Sequence, residues 1–266
     1  MRYLSQDDLM LDISTYTAIG SRKMQEDRIF THRFDDEFGA PLGCFVAILD
    51  GHNGHEAAEG ICAMLPHAIP TFAHALTANN LDHERLLAGL CASLHTASAH
   101  FVSGTTFAAA FVDLSRKKAT VANIGDSIVF HVRNGSLMAK TIAHNARSNR
   151  KERMKVVRRG ATWREGYLFH QNYGLQCSRS LGDKCIPELL HEPDITTCAL
   201  APKDALILAT DGVINTSNAH HERAGIREIV TQIGRKGTIA AQDVVLIGME
   251  HCGGKDNATA ILLNVM

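Results

Sequence analysis

Short apolar runs bounded by Gly, Asn and Asp alternate along the chain with stretches in which apolar residues recur at helical spacing. Residues 16–20 and 29–34 read as strands, with Ser21-Arg22-Lys23-Met24-Gln25-Glu26-Asp27 between them, and 44–49 as a central buried strand. A helix over about 55–65 is expected to be broken by Pro66 and Pro70. Asp82 is suited to cap a second helix, about 83–100, with Leu86, Leu87, Leu90 and Leu94 on one face. Strands follow at 106–112, 119–124, 128–133 and 136–142. The last two are joined by Asn134-Gly135, the strongest hairpin signal in the chain. Asn149 with Glu152 predicts a capping box opening a basic helix that Gly160 ends. A strand at 205–209, helices at about 225–233 and 239–251, and a last strand at 258–265 complete the pattern. Short polar turns between strands imply antiparallel pairing, and strands in runs with helices grouped apart predict an α+β layered sandwich. With no repeat, low-complexity tract or linker, residues 1–266 read as a single domain.

Composition narrows the class. The 266 residues are 45% hydrophobic and 21% charged, enough for a sizeable core and against a disordered chain. A net charge of −1 gives no global attraction to nucleic acid or membrane. Residues 86–112 carry no Asp, Glu, Lys or Arg and are long enough to span a bilayer. Ser93, His95, Thr96, Ser98, His100 and Ser103 interrupt them, so they read as a buried helix and a buried strand. The first eight residues are acidic and polar, unlike a signal or transit peptide. Seven scattered cysteines without a Cys-x-x-Cys pair fit reduced thiols in a cytoplasmic or nuclear protein and argue against a structural zinc site.

The chemistry starts at 45–49, where the apolar run stops at Asp50-Gly51-His52. One Asp-Gly after a strand is ordinarily a plain turn. Here the pattern returns: the run 206–209 ends in Thr210-Asp211-Gly212. Glu26, Asp27, Asp126 and Asp256 also sit at sharp turns or strand ends. Brought together, such groups repel, and divalent cations are the usual remedy. All-oxygen ligation favours Mg²⁺ or Mn²⁺ over Zn²⁺. Two such ions, about 3.5–4 Å apart, can share a carboxylate and turn a bridging water into a hydroxide for in-line attack on phosphorus. His52, two residues past Asp50, is placed to protonate the leaving alkoxide. Arg22, beside Glu26 and Asp27, is a candidate fork for the phosphate. Taken alone, His52 is one of fifteen histidines and Arg22 an ordinary loop arginine.

Seven motifs in order give these residues a context. They are Arg22-x-x-x-Glu26-Asp27, Asp50-Gly51-His52-Asn53-Gly54, Ser103-Gly104-Thr105-Thr106 and Asn123-x-Gly125-Asp126-Ser127. Ser178-Arg179-Ser180-Leu181-Gly182-Asp183, Thr210-Asp211-Gly212-Val213 and Asp256-Asn257-Ala258-Thr259 follow. Over nearly its whole length the chain resembles the PPM family of metal-dependent Ser/Thr protein phosphatases, protein phosphatase type 2C. The resemblance implies a four-layer α-β-β-α sandwich of two packed antiparallel sheets flanked by helices. It implies that Asp50 bridges two Mn²⁺ or Mg²⁺ ions. Asp211 and Asp256 would complete one ion, and Glu26 with the Gly51 carbonyl the other. Asp27 would orient bound water, Arg22 hold the phosphate and His52 act as the acid. Asp126 matches a position linked to a weaker third ion. Ser103, Thr105 and Thr106 read as core strand residues.

The chain departs from the family pattern in four places. Ile128 stands where Arg is common, Ile214-Asn215 where Trp-Asp is usual, and Ala143-His144 where Asp-His precedes the variable flap; residues 168–176 also match poorly. Asn215 removes an acid expected near the metals. Around the flap-like segment, about 145–175, eight basic residues between Arg147 and Arg164 stand against only Glu152. These are a solvated helix face, or a basic rim favouring phosphoproteins with acidic flanks. The expected function is hydrolysis of phosphoserine and phosphothreonine in proteins by a metal-bound hydroxide, carried out by a monomer without nucleic-acid or membrane partners. The alternatives are a catalytically weak regulatory or binding module, and a two-metal hydrolase of small phosphoesters.

Overall fold

The structure, a computed structural model, describes residues 9–77 and 82–266; the acidic first eight residues lie outside the described residues. Its helices are α1 (Glu56–Met64), α2 (Ile69–Thr77), α3 (His83–Ser98), α4 (Arg150–Arg158), α5 (Ala219–Lys236) and α6 (Ala241–Cys252). Two five-stranded antiparallel sheets form the centre. One runs Leu11–Ala18, Ala258–Val265, Asp204–Ala209, Ile128–Arg133, Ser136–Lys140 in spatial order; the other runs Asp194–Ala199, Lys118–Ile124, Phe107–Asp113, Pro41–Leu49, Arg28–Asp35.

The alternation of a strand explains the layers. Cys44, Val46 and Ile48 point between the sheets and pack with Leu206, Leu208, Ile261 and Leu263. Phe45, Ala47 and Leu49 point the other way, into a core closed by α1, α2 and α3. A strand buried on both faces reads as an unbroken apolar run, which is why 45–49 shows no polar alternation. On the far side, Ile207 and Leu262 meet Ile226, Ile229, Val244 and Val245 of α5 and α6. The result is the α-β-β-α sandwich expected from the sequence.

Several boundaries differ from the sequence reading. Pro66 lies in a short 3₁₀ turn, Leu65–Ala68, and Pro70 is the second residue of α2, where a missing N–H costs nothing. Helix α5 starts at Ala219, well before the apolar periodicity does, because Asn218 accepts the N–H groups of His220 and His221. The partly exposed, polar edge strand Asp194–Ala199 escaped prediction. The Asn134-Gly135 turn is as expected, with both residues left-handed (φ 50° and 68°). Residues 86–112 resolve into α3 and the strand Phe107–Asp113, and among the described residues no helix is long and apolar enough to cross a membrane.

The segment 145–175 comprises α4 and a small sheet of Thr162–Arg164, Tyr167–His170 and Tyr173–Leu175. Asn149 caps α4 as expected, accepting from the N–H groups of Lys151 and Glu152. The reciprocal half of the predicted capping box does not form. Glu152 instead takes Arg179 on both oxygens, each at 2.9 Å, and the Ser178 hydroxyl at 3.1 Å. The Asn149 N–H that would complete the box donates instead to the Asn145 carbonyl at 2.9 Å, which leaves Glu152 to the buried guanidinium. Arg179 also binds Asp194 at 2.9 Å, and Asp194 accepts His144 at 3.0 Å.

Burial opposes the Glu152 charge, but hydrogen bonds from Arg179 and Lys155 hold its pKa down at about 2. A folded pKa below the unfolded value gives stability that is present above the unfolded pKa and lost as pH falls toward the folded one. Glu152→Gln should therefore melt well below wild type at neutral pH. The gap should narrow as pH falls from about 5 toward 3. A gap independent of pH would show that the Glu152 charge contributes nothing.

Candidate active site

The apolar strand Pro41–Leu49 delivers Asp50 to one end of the sandwich, where backbone and side-chain bonds fix it. Its N–H donates to Thr106 Oγ1 at 3.1 Å, and its carbonyl accepts the Thr106 N–H at 2.9 Å and the Thr105 hydroxyl at 3.1 Å. Thr105 and Thr106 thus hold the strand end as well as filling the core. Gly51 lies so close to the loop before the second strand that a Cβ there would sit 2.6 Å from the Glu26 carbonyl oxygen. Glu26 in turn accepts the Gly54 N–H at 2.8 Å.

Asn257 clamps that loop, a role the sequence did not reveal. Its Oδ1 accepts the Glu26 N–H, and its Nδ2 donates to the carbonyls of Ile19 and Met24, all within 3.0 Å. Asp256 precedes it and binds Arg22 Nη2 at 2.7 Å.

These bonds bring Arg22, Glu26, Asp50, Gly51, His52, Asp126, Asp211 and Asp256 to the walls of one cavity of about 340 Å³. Every sequence-predicted site residue except Asp27 lines it. Asp27 is buried just behind, its Oδ2 bonded by the hydroxyls of Thr259 (2.6 Å) and Thr210 (3.4 Å), while its Oδ1 has no partner. Tyr167, Gly174, Leu175, Gln176 and Cys177 form the opposite wall, so the poorly matching segment 168–176 reaches the site. None of the basic residues of 147–164 is among the lining side chains. Arg153 lies over Trp163, Arg164 over Phe169, and Lys155 on Glu152. A larger cavity of about 740 Å³, beside α2 and α3, mixes apolar side chains such as Met64 and Phe72 with polar ones such as His67 and Arg85 and gathers no comparable cluster of carboxylates.

The site is electrostatically crowded. Burial first, then the charges of Asp211, Asp27, Asp126 and Asp256, pushes Asp50 well above the carboxylate range. Burial and repulsion from Asp126, Asp256 and Asp27 do the same to Asp211. Burial drives Asp27 up to about 7, against the hydrogen bond from Thr259. Burial disfavours the charged form of His52, yet the charge and hydrogen bond of Asp183, with Asp126 and Glu26 beyond, raise its pKa.

The donor set suits a hard divalent cation. It is all oxygen, it repels itself, and the buried Asp27 Oδ1 beside it is unsatisfied. In the arrangement shown, no three such groups among the described residues close on a common point, and Arg22 occupies Asp256. Both oxygens of Asp126 are taken, Oδ2 by Asn145 Nδ2 and Oδ1 by the Cys177 thiol, each at 2.7 Å.

The four departures fall mostly outside this cavity. Ile128, Ala143 and Ile214 are buried in the core beneath α5 and α6. Asn215 accepts the Ser217 hydroxyl and lines a separate cavity with His220 and Cys252. His144 accepts the Gly125 N–H on Nδ1 and faces Asp194 with Nε2.

A model of the protein phosphatase 2C family matches residues 17–250. The chain belongs to that family. Among its relatives, Probable protein phosphatase 2C 22 of Arabidopsis thaliana is 31% identical over 221 residues, 74% of this chain and 55% of its own length. A protein kinase and PP2C-like domain-containing protein of the same plant is 28% identical over 84% of this chain and 35% of its own length. The chain thus spans about half the length of such curated relatives. Among solved structures, a serine-threonine phosphatase 2C from Toxoplasma gondii superposes with a TM-score of 0.72 at 22% identity, covering 96% of this chain and 95% of its own. The catalytic domain of the phosphatase PstP, in complex with two manganese ions, superposes with a TM-score of 0.62 at 19% identity, covering 97% and 99%. At these identities the superpositions show the shared fold.

The crowding makes a prediction for the protein stripped of metal with a chelator. A carboxylate whose folded pKa is raised stabilises below its unfolded value, about 3.9, and loses that contribution as pH rises. Asp50→Asn removes the penalty. Its melting temperature relative to wild type should therefore climb between about pH 5 and pH 8. A constant offset across that range would mean Asp50 carries no repulsive burden.

Proposed function

We propose that the chain is a metal-dependent protein phosphatase acting on phosphoserine and phosphothreonine. The observation that carries this reading is the convergence of Glu26, Asp50, Asp211 and Asp256 on one cavity that also holds Arg22 and His52. Asp50, Asp211 and Asp256 would hold one Mn²⁺ or Mg²⁺ ion, and Asp50, Glu26 and the Gly51 carbonyl a second. When bound, the ions supply positive charge against the phosphoryl oxygens and lower the pKa of water toward neutrality. That a PP2C-fold neighbour was crystallised with two manganese ions supports this cofactor. A third ion is not part of the proposal, because both oxygens of Asp126 are engaged by Asn145 and Cys177.

The remaining steps belong to the chain's own groups. Arg22, its side chain half exposed at the cavity mouth, turns from Asp256 to the substrate phosphate, an exchange between two anionic partners of one fork. Asp27 Oδ1, buried and unpartnered, accepts a hydrogen bond from water entering the cavity and orients it. His52 gives a proton to the oxygen of the departing serine or threonine. Tyr167, partly exposed on the opposite wall, offers the residues flanking the phosphate an aromatic surface.

Release of phosphate from a phosphothreonine peptide, with and without Mn²⁺, tests the reading, and calorimetric titration of Mn²⁺ accompanies it. Metal-dependent turnover with two binding events is expected, and Asp50→Asn should abolish turnover while leaving the protein folded. Tight binding without turnover would point instead to a regulatory module. Faster turnover of nucleotides or sugar phosphates than of phosphopeptides would point to a small-molecule hydrolase. His52→Ala should slow the phosphopeptide by about 10²-fold or more, and an aryl phosphate much less, since a good leaving group needs little proton donation.

A further inference from the structure

The cavity has a built support behind His52 that the reaction as described so far does not use. Three two-residue strands, Gly51–His52, Gly104–Thr105 and Leu181–Gly182, pair into a miniature antiparallel sheet with Gly104–Thr105 in the middle. Its register places His52 opposite Gly104 and Gly104 opposite Gly182. The next residue, Asp183, takes a left-handed backbone (φ 50°), its N–H donating to the Ser103 carbonyl at 3.0 Å. That turn sends its carboxylate back across the sheet to His52 Nε2 at 2.7 Å. Asp183 is 3% exposed, so the pair is shielded from water on the carboxylate side. The glycine between them is obligatory: a methyl group at Gly104 would collide with both Asp183 Oδ2 and His52 Nε2. A glycine and a left-handed aspartate thus serve one hydrogen bond between residues 131 positions apart.

We infer that Asp183 is the positioning residue for proton delivery: by holding Nε2–H of His52 it fixes the ring and leaves Nδ1 as the nitrogen that faces the substrate. This rests on His52 being the acid of the proposed reaction. Among the described residues Nδ1 has no hydrogen-bond partner, and the ring lines the cavity. In the step itself a hydroxide derived from water bonds to phosphorus as the bond to the serine or threonine oxygen breaks with its electron pair on that oxygen, and the departing oxygen takes the Nδ1 proton. The ring keeps its Nε2 proton on Asp183 and regains the other from water. Without Asp183 the ring is free to rotate and to exchange tautomers, and the proton is no longer aimed.

The test compares wild type, His52→Ala, Asp183→Asn and the double variant on a phosphothreonine peptide and on p-nitrophenyl phosphate. Asn keeps the size of Asp and tolerates its left-handed backbone. Asp183→Asn should slow the phosphopeptide by about 10–100-fold and the aryl phosphate by much less, and the double variant should be no slower than His52→Ala. A merely structural role would slow both substrates alike and add to the His52 effect, which would overturn the inference. If His52→Ala shows leaving-group dependence and Asp183→Asn does not, the inference alone falls. If His52→Ala itself shows none, the assignment of His52 as the acid falls and takes the inference with it. A second readout needs no turnover: in metal-free protein the imidazole N–H resonance of His52 should be protected from exchange in wild type and lost in Asp183→Ala. Its survival in Asp183→Ala would equally overturn the inference.

Discussion

Mutual repulsion among carboxylates is the constraint around which this fold is arranged. Glu26, Asp50, Asp126, Asp211 and Asp256 share the walls of one cavity, with Asp27 buried behind them. Two unit charges 4 Å apart at an effective dielectric of 20 repel by about 4 kcal/mol, so a handful of such pairs rivals the stability of a whole domain. Only tertiary structure can oppose that. The acids come from widely separated strand ends, and rigid, apolar strands buried on both faces hold the two central ones. Around them, Thr105 and Thr106 pin Asp50, Thr210 and Thr259 satisfy one oxygen of Asp27, and Asn257 ties the loop of Glu26 to the strand after Asp256. A site assembled this way suits divalent cations, because the protein has already met the cost of assembling the anions.

What the sequence discloses follows from where the information lies. Strands buried on both faces, such as Ala258–Val265, and the capped helix α3 announce themselves locally, through apolar runs and an N-cap aspartate. Most of the site acids were legible for the same reason: Asp50 and Asp211 end apolar runs, and Asp126 and Asp256 follow glycines in turns, while Glu26 and Asp27 stand out only through the motif they share with Arg22. The partners that make them a site were not. Asp183 reaches His52 across 131 residues, Asn257 reaches Glu26 across 231, and Cys177 reaches Asp126 across 51. No local pattern encodes such distances. The half-formed capping box shows the same limit: Glu152 had the right spacing from Asn149, but Arg179, 27 residues on, made the better bond. Helix α5 was read short because its first turns are polar and face solvent, where periodicity carries no signal.

The departures from the family pattern weigh less in three dimensions than along the chain. Ile128, Ala143 and Ile214 replace polar or aromatic positions with side chains that fill the core under α5 and α6, away from the cavity. Asn215 turns to Ser217. The remaining departure, 168–176, is the one that reaches the cavity, through Gly174, Leu175 and Gln176. The four acids proposed to hold two ions all line the cavity.

That distribution bears on whether the chain catalyses or only binds. A module relieved of catalysis gains stability by neutralising buried, self-repelling carboxylates, since such groups burden the fold wherever they are not needed. Here Asp50 and Asp211 remain, both pushed far toward protonation by burial and by the surrounding carboxylates. The supporting geometry remains as well: a glycine at 104 that leaves room for the His52–Asp183 pair, and an asparagine at 257 that holds a loop against the acids. Buried carboxylates that cost stability, kept together with the geometry that arranges them, are what an enzyme retains, and this favours the catalytic reading over the regulatory one.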